Sequence, residues 1–366
     1  MQRVAVAAYS TGHFKKKACA SLFELSCEPC INILRSNIIS KSEVDAILFS
    51  SCSSEQYTSS IMAEMLGLRP KICHRLDNLC NSGTNAIVSA FSYISSGICD
   101  SALVVGADTN ESLGSKLAWD ITRGAFNLPV HWAAIFAKAH MRRYGTKEED
   151  IAMVSVKNHE NAGKNPNALF SEAVTLDDVM KSRVIVEPIK LLECCSACAG
   201  SSAVLLLSEE KAKGIVETPV WIKGIGQQTN CASISKVMGD LEDIGTAKIA
   251  ARQAFHMSNL FPKDVDVAEV HDAFSILEIL AYEDLGFVER GRGGNFVTQK
   301  DIVINPRGGL LGCGHPIGTT GVAQVSEIAS QLSGNAGSRQ IQGCETGLIH
   351  NLAAAGSSAT VMILTV

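Results

Sequence analysis

The sequence predicts an α/β protein built from two similar halves, with an inserted segment in the first. Three observations carry this expectation. Short runs rich in Val, Leu, Ile and Ala alternate with longer stretches of helical periodicity. The runs are nearly continuous in apolar residues, the pattern of strands buried on both faces. The plan of the N-terminal part then recurs in the C-terminal part.

The elements follow in chain order. "RVAVAAYS" near the N-terminus reads as a first strand, its apolar patch being too short for a signal peptide. "KSEVDAILFSS" is a short loop and a second strand, "SALVVGAD" a third, "SSAVLLLSEE" a fourth. In the C-terminal part "PVWIKGIGQQ" starts the plan again. "FPKDVDVAEVHDAF" echoes "KSEVDAILFSS": a Lys, an acid and Val-Asp lead into the strand. "GLIHNLAAAG" and "SATVMILTV" complete the set, so each half is expected to supply a sheet and its covering helices. Residues 111–198 carry more charge and more polar turns, as in "RRYGTKEED" and "KNHENAGKNPNALF". They are expected to form a loop domain over an active site, the plainer alternative being two surface helices and a long loop. The expected division is residues 1–110 with 199–216, the loop domain 111–198, and the second half 217–366.

The chain has 366 residues, of which 46% are hydrophobic and 19% charged, so its core can be large. A net charge of -5 argues against nucleic acid, which calls for a concentrated basic face. Aromatics at 5% argue against a stacking platform for single strands. No apolar run approaches the length of a membrane span. Thirteen cysteines, an odd number without regular spacing, suit a reducing, cytoplasmic setting. The two C-x-x-C pairs, Cys27 with Cys30 and Cys195 with Cys198, lie far apart in apolar contexts. They read as buried thiols rather than as a zinc ribbon, and no metal site is expected.

Three loops carry residues suited to chemistry. In "RLDNLCNSGTNAIVSAFSYISSG", Ile87, Ala90, Phe91 and Ile94 share one helical face. Cys80 therefore sits at or near a helix N-terminus, where unpaired N–H groups favour the nucleophilic thiolate. Gly83 would let another segment approach closely. The plain alternative is an inert core thiol. In "NPRGGLLGCGHPIGTTGVAQVSEIASQL", dense glycine signals unusual backbone or close contact. His315, followed by Pro316 and a helix with Val325, Ile328, Ala329 and Leu332 on one face, is held as a general base would be. A turn-capping histidine is the alternative. In "VAEVHDAFSILEIL", His271 lies where a strand gives way to a helix, the usual ligand position in α/β sheets. A helix-terminal histidine with no chemical task is the alternative. Asp272 would cap the helix starting near Phe274.

Together these loops resemble the thiolase superfamily over nearly the whole chain, in its sterol-carrier-protein-like and archaeal-type branch. "NLCNSGTNAI" is similar to the family's Cys-x-Ser nucleophile loop, "GADTNES" to the strand and turn that follow it, and "GGLLGCGHPIGTTG" to its Gly-His-Pro signature. "HDAF" resembles the Asn-Glu-Ala-Phe loop with His in place of Asn.

The resemblance implies a thiolase-like fold of duplicated α/β halves in five layers (αβαβα), with an inserted loop domain, and a homodimer or tetramer. It implies an acyl-CoA C-acyltransferase that interconverts acetyl-CoA with acetoacetyl-CoA or another 3-ketoacyl-CoA and CoA. Coenzyme A thioesters would be substrates, with no cofactor held permanently. Cys80 would be acylated, His315 would deprotonate it, and His271 would help bind the thioester oxygen of the second substrate. The backbone N–H of Cys80 would serve the acyl-enzyme. Partners of the hydroxymethylglutaryl-CoA synthase kind and a zinc-ribbon/OB-fold protein are also implied.

One departure stands out. Where the family places a second cysteine in a Cys-x-Gly loop, this chain has Asn351, Leu352 and Ala353, and the alternative place in the His-Asp loop is Ala273. Cys313, Asn351 and His350 are the candidates to replace it. The trio of Cys80 and two histidines also resembles decarboxylating β-ketoacyl synthases. A non-catalytic acyl-CoA-binding or scaffold subunit is a third reading.

Overall fold

The structure is a computed structural model that describes residues 2–36, 38–110, 128–230, 241–299, 301–354 and 356–366. Residues 111–127 of the expected loop domain, which include the last two of "GADTNES", lie outside the described residues.

The N-terminal half contributes β1 (Val4–Thr11), α1 (Leu22–Arg35), β2 (Ala46–Ser50), α2 (Thr58–Leu66), β3 (Ile72–Leu76), α3 (Ser82–Ser95) and β4 (Ser101–Thr109). Next come α4 (Pro129–Tyr144), α5 (Glu148–Ala162), α6 (Leu176–Lys181) and the small hairpin of β5 (Val184–Val186) and β6 (Ile189–Lys190). The chain then returns through β7 (Ala199–Ser208) and the one-turn α7 (Glu209–Ala212). The C-terminal half runs through β8 (Val220–Thr229), α8 (Gly245–Ser258), β9 (Val267–Glu269), α9 (Ser275–Asp284), α10 (Gly293–Phe296), β10 (Val303–Ile304), α11 (Gly309–Cys313), α12 (Thr320–Leu332), β11 (Thr346–Ala353) and β12 (Ser358–Thr365).

The duplication is visible in the strand order β10-β9-β11-β12-β8-β1-β7-β4-β2-β3, a palindrome about its centre. β8 answers β1, β12 answers β7, β11 answers β4, β9 answers β2, and β10 answers β3. The pairing repeats as well: β1–β7 and β12–β8 are antiparallel, β2–β4 and β11–β9 parallel. The halves join through a short antiparallel contact, Ala5 opposite Trp221 and Val6 opposite Val220. Eight strands of this sheet, all but β3 and β10, are those the apolar runs mark. β3 and β10 leave no apolar run in the sequence, since "ICHRL" mixes apolar with polar residues and β10 has only two residues.

Alternation along each strand explains why the runs are apolar throughout. Ala46 and Leu48 of β2 face a core shared with α3 and α12, while Ile47 and Phe49 face one shared with α1 and α2. The shared core holds Leu48, Val204, Ile349 and Met362 from both halves around Ile87 and Phe91 of α3 and Val325 and Ile328 of α12. A third core packs the outer face of the C-terminal half under α8 and α9, and Phe136 of α4 and Ile151 of α5 belong to it. The layers are thus helix, sheet, helix, sheet, helix.

At the centre, α3 and α12 touch at their first turns. A Cβ on Gly83 would lie 2.7 Å from the Val322 nitrogen, and one on Gly321 2.4 Å from the Thr84 nitrogen. Only glycine permits this approach, and it brings two helix N-termini to one place.

Candidate active site

The turn between β3 and α3 presents Cys80. Leu79 adopts a left-handed conformation at φ 49°, which forces a tight bend. The Ser82 hydroxyl locks the bend, donating to the Leu79 carbonyl at 2.6 Å and accepting from the Asn78 N–H at 2.7 Å. Asn81, fully buried, donates to the Ser358 hydroxyl at 2.9 Å. Cys80 therefore projects from the residue before the helix cap. The N–H groups of Ala354 and of Cys80 itself hold its pKa down, but burial outweighs them and pushes the thiol up to about 12.

His315 comes from the opposite half. Its N–H donates to the Ser196 carbonyl at 2.8 Å. Three residues on, the Gly318 N–H donates to buried Asp108 at the end of β4 at 2.5 Å. Asp108 also accepts from the Ser51 hydroxyl and the Cys52 N–H, both at 2.9 Å. Pinned at both ends, the loop sets His315 Nε2 3.2 Å from Cys80 Sγ and Nδ1 2.8 Å from Thr320 Oγ1. Burial first, and then the nearby Arg307 cation, lower the His315 pKa to about 3. The resting pair is thus a neutral thiol and a neutral imidazole. Nε2 accepts the thiol proton, so Nδ1 carries the other and donates to Thr320.

His271 completes the group. Its ring centroid lies 5.4 Å from that of His315, at 84°. It is 3% exposed, and its Nδ1 has no hydrogen-bond partner among the described residues. Burial, then His315 and His350, hold its pKa well below the ordinary histidine value, so this ring too is neutral. Asp272 does not cap the helix after it, as the sequence suggests. Its carboxylate turns back and accepts from the Leu310 N–H at 2.6 Å and the Leu311 N–H at 3.2 Å, capping α11, while Phe274 stands at the start of α9.

Cys80, His271 and His315 have donor atoms within 4.8 Å of one another. Among the described residues this is where three metal-ligating side chains converge, and neither C-x-x-C pair takes part in such a group. A thiophilic ion held here would occupy the thiol and both imidazoles.

The three line one cavity of about 390 Å³, walled by apolar side chains that include Trp132 of α4, Leu191 and Phe274. Cys195 also lines it, a residue that stands out in the sequence only as half of a C-x-x-C pair. Residues 194–198 thread between the two histidine loops. The Cys195 N–H donates to the Ala273 carbonyl at 2.9 Å, and Ala197 bridges to His315. No local pattern announces this placement.

The replacement candidates for the second cysteine are not brought to the cavity. Cys313 is turned away by its own hydrogen bonds: its thiol donates to the Arg307 carbonyl at 2.8 Å and accepts from Asn165 at 3.2 Å. It packs instead with Phe14, Ala162 and Cys198. Asn351 on β11 points at α12, donating to Gln324 at 2.6 Å. His350, its neighbour on the strand, is buried, has no partner for either ring nitrogen among the described residues, and does not line the cavity.

A mirrored five-layer fold with a thiol at the start of one central helix and a histidine at the start of the other defines the thiolase fold class. A model of the thiolase N-terminal domain matches residues 2–210, and one described as thiolase C-terminal domain-like matches residues 226–366. The chain belongs to the thiolase family. It is 35% identical to an acetyl-CoA acetyltransferase of Methanothermobacter thermautotrophicus, with 99% of each chain covered. It is 34% identical to human sterol carrier protein 2, covering 77% of this chain and 56% of that one. Among solved structures, one titled "Ltp2-ChsH2(DUF35) aldolase" superposes with a TM-score of 0.88 at 24% identity, covering 100% of this chain and 98% of that one. No helix among the described residues is long and apolar enough to cross a membrane.

Proposed function

We propose that this chain is an acyl-CoA C-acyltransferase that joins two acetyl-CoA molecules, or cleaves acetoacetyl-CoA or another 3-ketoacyl-CoA with CoA, through an acyl-Cys80 intermediate. The observation that carries the reading is the 3.2 Å contact between Cys80 Sγ and neutral His315 Nε2. His315 takes the thiol proton as Cys80 attacks the thioester. The helix start and the Ala354 N–H stabilise the sulfur's charge. His271, kept neutral, retains an N–H to donate to the thioester oxygen as its neighbouring carbon becomes an enolate. Donors placed for such a developing oxyanion are worth about 3–4 kcal/mol each.

CoA thioesters are substrates in this reading, and no cofactor stays bound. The relatives named acetyl-CoA acetyltransferase support the acetyl group as the unit transferred. β3, an edge strand, suits a homodimer or tetramer. The two-component title of the aldolase neighbour supports a protein partner. The described cysteines are all free, which suits a cytoplasmic setting. Intact-mass spectrometry after incubation with acetyl-CoA tests the reading. A gain of one acetyl group, absent in Cys80→Ser, is expected; no gain in the unaltered protein would end it.

A second reading rests on the same pair of imidazoles, which could stabilise an enolate left by decarboxylation. Malonyl-CoA separates the two: carbon dioxide release from malonyl-CoA, with no thiolysis of acetoacetyl-CoA, favours the decarboxylating enzyme.

A further inference from the structure

Condensation between two thioesters needs one more group than the Cys80–His315 pair supplies. The leaving CoA thiolate must gain a proton, and the α-carbon of the second acetyl-CoA must lose one. Neither Cys313 nor Asn351 reaches the cavity.

We propose that Cys195 is this proton carrier, a catalytic residue of the site just described. The inference rests on the acyltransferase reading. Its geometric support is independent of the Cys80–His315 contact. An antiparallel bridge sets Cys194 opposite Phe274, and the Cys195 N–H donates to the Ala273 carbonyl at 2.9 Å. Cys195 and Ala273 thus stand across from each other, with Cβ atoms about 5 Å apart and side chains on one face. Both line the cavity that holds Cys80, His271 and His315. The small Ala273 leaves the space before it to the thiol opposite.

Cys194 lines the same cavity, but its thiol and those of the other nearby cysteines make other contacts. The Cys194 thiol donates to the Lys190 carbonyl at 3.3 Å. Cys198 packs with Phe14 and Cys313. Cys52 lies beside a smaller pocket on another side of His315, near Asp77 and Ser82. The second pointer to a ligand here is His271, 97% buried, whose Nδ1 has no partner among the described residues although the ring lines the same cavity.

The steps balance. Cys80 gives its proton to His315 and attacks acetyl-CoA; the C–S bond to CoA breaks as the Cys80 acyl bond forms. Cys195 protonates the departing CoA thiolate and becomes a thiolate itself. CoA leaves and a second acetyl-CoA enters. The Cys195 thiolate removes an α-proton, and the carbanion attacks the acetyl carbon on Cys80. The new C–C bond forms as the Cys80 acyl bond breaks, and the released Cys80 thiolate recovers its proton from His315. Burial, with neighbouring thiols and Asp272, keeps the resting Cys195 thiol protonated, the form the first step needs.

The test compares Cys195→Ala and the double variant Cys195→Ala/Ala273→Cys with the unaltered protein, each confirmed folded by thermal unfolding. Two reactions are measured. One is acylation of Cys80 by p-nitrophenyl thioacetate, whose leaving group needs no proton. The other is exchange of acetyl-CoA α-protons in heavy water. Cys195→Ala is expected to acylate within about threefold of the unaltered rate and to lose exchange by about 10²–10⁴-fold, the weight of a positioned acid–base. Placing the thiol at position 273 is expected to restore at least a tenth of the exchange. Exchange within threefold of normal in Cys195→Ala overturns the proposal, as do equal losses in both reactions, which mark a structural role. If the unaltered protein is never acetylated on Cys80, it is the acyltransferase reading that fails.

Discussion

His315 bridges two groups from different halves of the fold: Nε2 lies 3.2 Å from Cys80 Sγ and Nδ1 2.8 Å from Thr320 Oγ1. The thiol sits at the start of α3, while the imidazole and its anchor flank the start of α12. Replacing His315 by Ala removes the base hydrogen-bonded to Cys80. Acetylation of Cys80 by acetyl-CoA is expected to slow by about 10²–10⁴-fold, as read by quenched-flow mass spectrometry. A loss under threefold would remove His315 from the reaction.

Thr320→Val tests the tautomer. Valine keeps the shape and removes the acceptor for Nδ1–H, and the hydroxyl's own 3.4 Å contact with the Pro316 carbonyl is weak. The ring is then free to carry its proton on Nε2, where it cannot accept from the thiol. kcat for thiolysis of acetoacetyl-CoA is expected to fall about tenfold, equivalent to one ordinary hydrogen bond of about 1.4 kcal/mol. KM should change little. An unchanged kcat would mean that the anchor is dispensable.

The free thiol has a pH signature. Because burial lifts Cys80 to about 12, its thiolate is scarce at neutral pH, and neutral His315 does not form an ion pair with it. Inactivation by iodoacetamide in the absence of substrate is expected to rise about tenfold per pH unit from about pH 7 to pH 9. A plateau already at pH 7 would show a thiolate–imidazolium pair instead.

Gly83 and Gly321 set the distance between α3 and α12. Gly83→Ala places a methyl against the Val322 nitrogen and the Gly318 carbonyl, backbone atoms that cannot swing aside. A cost of about 3 kcal/mol or more in urea unfolding is expected, at the upper end for overpacking. Gly214→Ala, where a Cβ meets nothing within 4 Å, serves as the control and should stay within about 0.5 kcal/mol.

What the sequence discloses here is whatever is written locally. Apolar runs mark strands buried on both sides, and Gly83, Cys80 and the Gly-His-Pro loop mark a crowded pair of helix starts. β3 escapes notice because an edge strand half open to solvent keeps polar residues, His74 and Arg75 among them. Cys313 looks close to the chemistry because it is two residues from His315. Side-chain direction decides otherwise, and the Arg307 carbonyl that sets it is a feature of the fold. Cys195 is hidden for the converse reason. It reaches the cavity through a cross-strand contact with Ala273, a residue distant in the chain.

His350 offers the last test. It is buried on β11, both ring nitrogens lack partners among the described residues, and burial alone lowers its pKa to about 3 from 6.5. A depressed histidine pKa means that the unfolded chain binds the proton first. The stability of the neutral ring is fully present above about pH 6.5 and drains away as pH falls towards 3. Between pH 8 and pH 5 the loss is about 2 kcal/mol, at 1.36 kcal/mol per unit below the unfolded pKa. His350→Leu removes this term and puts an aliphatic side chain beside Leu348 and Leu352 of the outer core. The difference in unfolding free energy between those two pH values is therefore expected to shrink by about 2 kcal/mol in the variant. Parallel urea titrations of both proteins check it, and an unchanged difference would mean that the buried ring finds a proton acceptor at low pH.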